Sequence, residues 1–143
     1  MAIDLDTGAA AKNIKRLGVI NITLVKSDFM TFKDGIKGRR DFLYDLIVSN
    51  PPYLSAEDMK KFGHALRYEP ARAFYGGFDG LDFYRAISSF AKIGLSKGGY
   101  IIVEIDYKWP LVLKIFREEG FFIKEIRKDY NGLERVMVVR RDF

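Results

Sequence analysis

The chain has 143 residues, of which 48% are hydrophobic and 30% are charged, a balance typical of a single globular domain. It contains no cysteine, which excludes a disulfide framework, a thiolate zinc site and a cysteine nucleophile. The formal net charge is +5, but Lys and Arg are spread along the chain, so the charge indicates a basic surface more than a dedicated nucleic-acid site.

The first half of the chain is predicted to alternate strands and helices. Apolar runs, capping residues and glycine stops define its elements. In chain order they are a strand over residues 2–5, a helix that Asp6 or Thr7 caps and Gly18 ends, a strand over residues 22–25 followed by Ser27 and Asp28, a loop over residues 29–41, and a strand over residues 45–49. The last strand is apolar in its middle, which predicts a strand covered on both faces.

The second half begins with a long segment without a clean period, residues 54–78, with one helical turn near residues 56–62. Loops of this length inside a domain are usually functional. After it, Asp79 caps a predicted helix whose buried stripe is Phe83, Ile87, Phe90 and Ala91. A turn at Gly98 and Gly99 then leads to a strand over residues 100–105, and a helix over residues 111–119 follows between Pro110 and Gly120. The last elements are strands over residues 121–126 and 135–140, joined by Asn131-Gly132. Together they predict an α/β fold with a mostly parallel sheet and a C-terminal β-hairpin.

The sequence Asn50-Pro51-Pro52-Tyr53 directly follows a predicted strand. Proline fixes φ and has no N–H, so the chain must leave the sheet rigidly at this point. Ligands of open parallel sheets bind just beyond the carboxyl ends of the strands. An Asn side chain and a carbonyl next to proline can hold both hydrogens of a planar –NH₂ group, and Tyr53 can stack on its plane. The blander interpretation is a strand-ending loop with a capping asparagine.

Other candidate sites are weaker. His64 is the only histidine, which weighs against a Ser–His–Asp triad and excludes a two-histidine metal site within one chain, and a surface position is the simpler interpretation. No glycine-rich phosphate loop is present, because no Gly-x-x-x-x-Gly-Lys follows a strand.

The motif and the segments after it together resemble a known family. Arg67-Tyr68-Glu69-Pro70 is followed by Ala73-Phe74-Tyr75-Gly76-Gly77 and then by Asp79-Gly80-Leu81-Asp82-Phe83-Tyr84-Arg85. Asn-Pro-Pro-Tyr after such a strand is similar to the motif of amino-methyltransferases that act on planar nitrogens. The whole succession resembles the release-factor glutamine N5-methyltransferases, the HemK/PrmC family, over nearly the whole chain.

This resemblance implies a Rossmann-like class I methyltransferase sheet and S-adenosylmethionine as cofactor. For the cofactor, the resemblance implies that Asp4 binds the ribose hydroxyls, that Asp28 lies near the adenine amino group and that Asn50 also makes contact. For the substrate amide, it implies a catalytic clamp formed by Asn50, Pro51, Pro52 and Tyr53. Glu69 and Pro70 are implied to lie in the substrate-side loop. No metal is implied. Without the resemblance, Asp4 is interpreted equally well as a helix-capping acid, and Asp28 as an ordinary acid in the turn after a strand.

The sequence departs from the family before Asp4. Relatives carry there a first strand, a glycine-rich loop that holds the methionine part of the cofactor, and a helical domain that grips the release factor. Residues 1–143 are therefore expected to form one partial catalytic domain. The missing strand would lie between the strands at residues 2–5 and 45–49. These strands are expected either to pair directly or to be completed by a second copy through strand exchange, which we favour. A third alternative is that the segment over residues 1–17 detaches and is poorly ordered.

The implied activity is methyl transfer to the side-chain amide of the glutamine in the Gly-Gly-Gln loop of a peptide release factor. Two alternatives stay open: N6-methylation of adenine in nucleic acid, and a catalytically silent fragment that serves as an interaction domain. No apolar run approaches the roughly 20 residues that span a bilayer, and the start of the chain fits neither a signal peptide nor a transit peptide. A cytoplasmic protein without membrane contact is expected.

Overall fold

The computed structural model describes residues 1–35, 43–62 and 64–143. They belong to two compact units, Met1–Gly38 and Arg39–Phe143. The expectation of one partial catalytic domain stays a prediction. No helix among the described residues is long and apolar enough to cross a membrane.

The first unit is a small parallel pair of strands with two helices. Its elements are β1 (Ala2–Asp4), α1 (Gly8–Leu17), β2 (Leu24–Lys26) and α2 (Phe29–Gly35). Asp4 pairs with Lys26, so the carboxyl ends of β1 and β2 lie at the same edge. The predicted signals around α1 are confirmed, because an Asp6 carboxylate oxygen accepts the Gly8 N–H at 3.0 Å and Gly18 ends the helix at φ 63°.

The predicted loop over residues 29–41 is wrong in its first part, where α2 forms. The start of this helix is fixed by Asp28, whose carboxylate accepts the Met30 N–H at 2.8 Å and whose carbonyl accepts the Phe32 N–H at 2.8 Å. Two glycines and several charges concealed this helix in the sequence. The rest of that predicted loop, residues 36–41, lies outside the described residues.

The second unit contains a four-stranded mixed sheet with helices. Its elements are β3 (Tyr44–Ser49), α3 (Ala56–Phe62), a 3₁₀ turn (Ala71–Ala73), α4 (Asp82–Gly94), β4 (Leu95–Glu104), α5 (Trp109–Glu118), β5 (Phe122–Lys128) and β6 (Glu134–Arg140). The strand order is β3-β4-β6-β5, with β3 parallel to β4 and β6 antiparallel to both neighbours. The predicted C-terminal hairpin is confirmed, and Gly132 in its turn has φ 82°.

The core of the second unit lies between its helices and β4 and β6. The fully or nearly fully buried side chains are Tyr84, Ile87, Phe90 and Ala91 of α4, Val112 and Phe116 of α5, Ile101 and Val103 of β4, and Met137 and Val139 of β6. Each large apolar side chain among them contributes roughly 1.5–3 kcal/mol through burial. This core holds the carboxyl end of β4 in place.

Two boundaries in the second unit differ from the prediction. Asp79 is not the N-cap of α4, since the cap position is Leu81. The Asp79 carboxylate instead accepts the Leu81 N–H at 3.0 Å and pairs with Arg85. The predicted turn at Gly98 and Gly99 is absorbed into β4, which starts at Leu95 and is irregular at this point. The two glycines interrupt the apolar pattern of β4 in the sequence, but the strand continues through them.

The prediction that β3 is covered on both faces is wrong for this chain. Leu46 is 50% exposed and Val48 is 67% exposed, although both belong to an apolar run. Among the described residues, β3 pairs on one side only, with β4, and β1 belongs to a different sheet. Whether the strands at residues 2–5 and 45–49 pair directly or are completed by a second copy stays a prediction.

Candidate active site

The candidate site of the second unit lies at the carboxyl edge of β3 and β4. Ser49 at the end of β3 is level with Val103 of the parallel β4. Asn50 and Glu104, the next residue along each segment, therefore emerge side by side. This is the edge at which open α/β sheets bind ligands.

The Asn50 side chain lies at this edge without a described hydrogen-bond partner. Asn50 is exposed, whereas Pro51 behind it is buried and Pro52 is half-buried. Within the part of the chain that the structure describes, no group forms a hydrogen bond to the Asn50 side chain. A carboxamide offers one acceptor oxygen and two donors, so it can bind a planar amide without breaking an internal contact.

Tyr53 is held beside this asparagine by Glu104. Its hydroxyl donates a long hydrogen bond of 3.3 Å to a Glu104 carboxylate oxygen. Burial raises the pKa of Tyr53, and the Glu104 charge raises it further, so the phenol stays protonated at neutral pH. The Glu104 carbonyl in turn accepts the hydroxyl of the fully buried Tyr84 at 2.8 Å. Glu104 was missed in the sequence, where it is only the polar end of an apolar strand.

A glycine loop packs directly on the backbone of the motif. A Cβ on Gly76 would lie 2.6 Å from the Pro52 carbonyl oxygen and 2.8 Å from the Tyr53 Cα. Gly80 has φ 80°, and a Cβ there would overlap the Tyr53 carbonyl oxygen. Leu54 and Tyr75 form an isolated parallel β-bridge. Only residues without a side chain allow this close approach.

We expect Gly80→Ala to destabilise the chain by about 2–4 kcal/mol, from a left-handed backbone strain of about 1–2 kcal/mol and overpacking against the motif. Gly132→Ala is the matched control, because Gly132 has φ 82° and open space around its Cα, so only the strain applies. Urea unfolding of both variants measures the difference. If Gly80→Ala and Gly132→Ala lost the same free energy of unfolding, the close packing at Gly80 would not contribute to stability.

Glu69 and Pro70 lie on the segment that returns to the motif. Both are exposed, and Pro70 precedes the 3₁₀ turn. Shortly after this turn the Phe74 carbonyl accepts the Leu54 N–H at 2.8 Å. Neither Glu69 nor Pro70 forms a hydrogen bond to the motif among the described residues, so their role as substrate-side residues stays a prediction.

A buried ion cluster lies on the carboxyl side of the motif. The Lys108 ammonium is 2.8 Å from an Asp58 carboxylate oxygen and 3.0 Å from one of Asp106, and all three side chains are at most 9% exposed. Burial alone raises the pKa of Asp58, but hydrogen bonds from Lys108 and Ser55 outweigh it and hold the pKa well below its ordinary value. Burial lowers the pKa of Lys108, and the two carboxylates overcome this and raise it.

The first unit carries two further predicted site residues, Asp4 and Asp28, at the carboxyl edge of β1 and β2. Both carboxylates are exposed. One oxygen of Asp4 accepts the Asp6 N–H at 2.9 Å, and one oxygen of Asp28 accepts the Met30 N–H. The other oxygen of each accepts no hydrogen bond from any described residue. Carboxylates with an open oxygen suit hydroxyl and amino donors, as a nucleoside presents them.

A metal site is not formed in the described parts of the chain. No group of three or more His, Asp or Glu side chains there could hold an ion.

Solved structures of methyltransferases share the fold of this chain. A methyltransferase from Pyrococcus furiosus matches with a TM-score of 0.67 at 23% identity, over 99% of this chain and 62% of that chain. N-methyltransferase NodS from Bradyrhizobium japonicum in complex with S-adenosyl-L-homocysteine matches with a TM-score of 0.55 at 18% identity, over 97% of this chain and 64% of that chain. The fold is that of the class I methyltransferases, as predicted.

Curated relatives identify the family, although no family model matches the chain. Release factor glutamine methyltransferase of Fusobacterium nucleatum is 37% identical over 123 residues, which are 85% of this chain and 33% of the relative. Ribosomal protein uL3 glutamine methyltransferase of Xanthomonas campestris is 35% identical over 124 residues, 87% of this chain and 38% of the relative. The chain belongs to the release factor glutamine methyltransferase family, and it spans little more than a third of these relatives.

Proposed function

We propose that this chain is part of an enzyme that transfers a methyl group from S-adenosylmethionine to the side-chain amide nitrogen of a glutamine. The substrate is the Gly-Gly-Gln loop of a peptide release factor, and Asn50, Pro51, Pro52 and Tyr53 form the catalytic clamp. The observation that carries this proposal is the free Asn50 carboxamide beside Tyr53 at the carboxyl edge of β3. The relatives are named for the methylation of glutamine in a release factor or in ribosomal protein uL3, which supports a glutamine in a protein of the translation machinery as the target.

The clamp solves the problem of a weak nucleophile. An amide nitrogen has a delocalised lone pair, so its orientation decides whether it reacts. The Asn50 side-chain oxygen and the carbonyl next to Pro51 would accept the two amide hydrogens, and the Tyr53 ring would pack on the amide plane. Holding reactants in line can lower the barrier by roughly 7–11 kcal/mol at best. S-Adenosylmethionine, when bound, supplies the electrophilic methyl group.

Asp4 and Asp28 are proposed to bind the nucleoside part of that cofactor. Their open carboxylate oxygens support hydrogen bonds to the ribose hydroxyls and to the adenine amino group, respectively. A relative in fold carries S-adenosyl-L-homocysteine, which supports the same ligand class here. Asn50 is proposed to contact the cofactor as well as the substrate. A protein that modifies a translation factor is expected in the cytoplasm.

A substrate panel tests the proposed function. The chain is incubated at high concentration with tritiated S-adenosylmethionine and, separately, with release factor, ribosomal protein uL3, DNA and RNA. We expect tritium in the release factor above all. Transfer to DNA or RNA adenine would replace the proposal with nucleic-acid methylation, and no transfer to any substrate would favour a silent interaction domain.

We expect this chain alone to bind S-adenosylmethionine weakly, because Asp4 and Asp28 reach only the nucleoside end of the cofactor. Isothermal calorimetry should give a dissociation constant well above about 1 µM, which corresponds to about −8 kcal/mol. Asp28→Asn should weaken the remaining binding, while Asp45→Asn, a strand acid that contacts Ser96, should not. Sub-micromolar binding would show that further groups of this chain hold the cofactor.

The open edge of β3 supports a proposal about assembly. Backbone groups on this edge and the exposed Leu46 and Val48 would be covered if a second copy paired with it. We therefore expect sedimentation to show the 16.5 kDa chain passing to a dimer as its concentration rises. Val48→Lys should keep it monomeric, whereas Thr23→Lys, outside the second unit, should not. A monomer at all concentrations would contradict strand exchange between copies.

A further inference from the structure

We propose that Lys108 is a positioning residue for the Asn50 to Tyr53 clamp, acting through Asp58. This inference rests on the proposed function for the role of the clamp, but its geometry stands on its own. Lys108 lies just beyond β4, and Asp58 lies in the first turn of α3, 50 residues away. Their ion pair therefore ties the segment after the clamp to the end of the central strand.

Asp58 passes this restraint to the backbone next to Tyr53. Ser55 and Asp58 form a reciprocal cap of α3, in which an Asp58 carboxylate oxygen accepts the Ser55 N–H at 2.9 Å. The Ser55 hydroxyl oxygen in turn accepts the Asp58 N–H at 3.1 Å. Such a capping box fixes the direction in which the chain enters a helix. The carboxylate oxygen that caps Ser55 is the one that pairs with Lys108.

The lysine itself is held firmly. Its backbone N–H donates to an Asp106 carboxylate oxygen at 2.9 Å, and its ammonium pairs with both Asp58 and Asp106. The Tyr107 hydroxyl also donates to the Asp58 carboxylate at 3.0 Å. The contacts of Asp58 thus connect α3 to the turn between β4 and α5, and the contacts between Lys108 and Asp106 lie within that turn.

The Lys108 stem also passes beside the clamp. A Cβ on Gly80 would lie 3.1 Å from the Lys108 Cε and 3.1 Å from the Ser55 nitrogen, and the same Cβ would overlap the Tyr53 carbonyl oxygen. The Lys108 Cε and the Tyr53 carbonyl oxygen are therefore both close to Gly80. Because the ammonium is buried and pairs with two carboxylates, its role in this proposal is to restrain the backbone that follows the clamp.

Hydrogen exchange on the chain tests this inference. The main variant is Asp58→Asn/Asp106→Asn/Lys108→Met, which removes all three charges together and leaves a side-chain amide oxygen at position 58 that can still cap Ser55. We expect the amides of residues 54–58, which include the donors Leu54, Ser55 and Ala56, to exchange at least about tenfold faster. The β5–β6 hairpin should keep its protection, and Lys108→Arg should preserve protection at residues 54–58.

Two results would overturn the inference: unchanged exchange at residues 54–58, or a uniform rise that includes the hairpin, which indicates a general structural role. Should the triple variant not fold, Asp58→Asn alone is compared with wild type in the same way, because it breaks the Lys108–Asp58 ion pair and leaves Lys108 paired with Asp106, and the same two results decide. In the methyl-transfer assay, the variant should lower kcat about tenfold with little change in KM for the cofactor. If the wild-type chain methylates nothing, the proposed function fails while the exchange data still decide the role of Lys108.

Discussion

Replacing Asn50 with alanine should lower kcat for methyl transfer about 100-fold, because a misaligned nucleophile loses about that factor. The loss should appear equally in kcat/KM, since the amide hydrogen bonds act when nitrogen attacks. Binding of S-adenosylmethionine should change far less. The variant should also fold normally, because Asn50 is exposed and makes no described internal hydrogen bond.

Steady-state kinetics and calorimetry on an active form of the enzyme measure these two quantities. Asn131→Ala is the matched control, because Asn131 is an exposed asparagine in the β5–β6 turn, far along the chain from the clamp. It should leave both quantities unchanged. A kcat for Asn50→Ala equal to that of the control would remove Asn50 from the clamp.

The second large effect concerns stability. Lys108→Met should lower the free energy of unfolding by about 3–5 kcal/mol, because it leaves Asp58 and Asp106 buried without their countercharge. Lys92→Met is the control, since Lys92 pairs with Glu119 at 2.6 Å on the surface, where its side chain is 46% exposed. A surface pair contributes only about 0–1 kcal/mol. Denaturant unfolding that gave both variants the same small loss would contradict the buried cluster.

The same difference should depend on pH. The Asp58 contribution is complete above its unfolded pKa, near pH 4, and is lost as pH falls through the depressed folded pKa. The Lys108 contribution is complete below its unfolded pKa, near pH 10, and is lost as pH rises through the raised folded pKa. The gap between wild type and Lys108→Met should therefore be steady from about pH 5 to pH 9 and narrow outside this window.

Local signals explain the parts of the fold that the sequence predicts well. β4 and β6 are apolar runs with a clear period, and the Asn131-Gly132 turn joins β5 and β6 as expected. The position of Asn50 follows from an apolar strand that meets two prolines, a local restriction on the backbone. The end of β3 and the position of residues 50–53 directly after it can therefore be located from the sequence alone.

Contacts between distant segments could not be predicted in this way. Lys108 and Asp58 are separated by 50 residues, and neither stands out as more than a surface charge in the sequence. Glu104 resembles any polar strand end until its register beside Asn50 is known. The covering of β3 was mispredicted for a related reason: an apolar run shows that a strand prefers burial, but it does not supply the neighbour that buries it.

The most direct test of the glutamine clamp is the position of the transferred methyl group. Release factor incubated with the chain and S-adenosylmethionine is digested and sequenced by mass spectrometry, beside a release factor whose Gly-Gly-Gln glutamine is replaced by glutamate. The clamp predicts one methyl group on the glutamine side chain of the first substrate and none on the second. A methyl group on another residue, or equal labelling of both substrates, would contradict it.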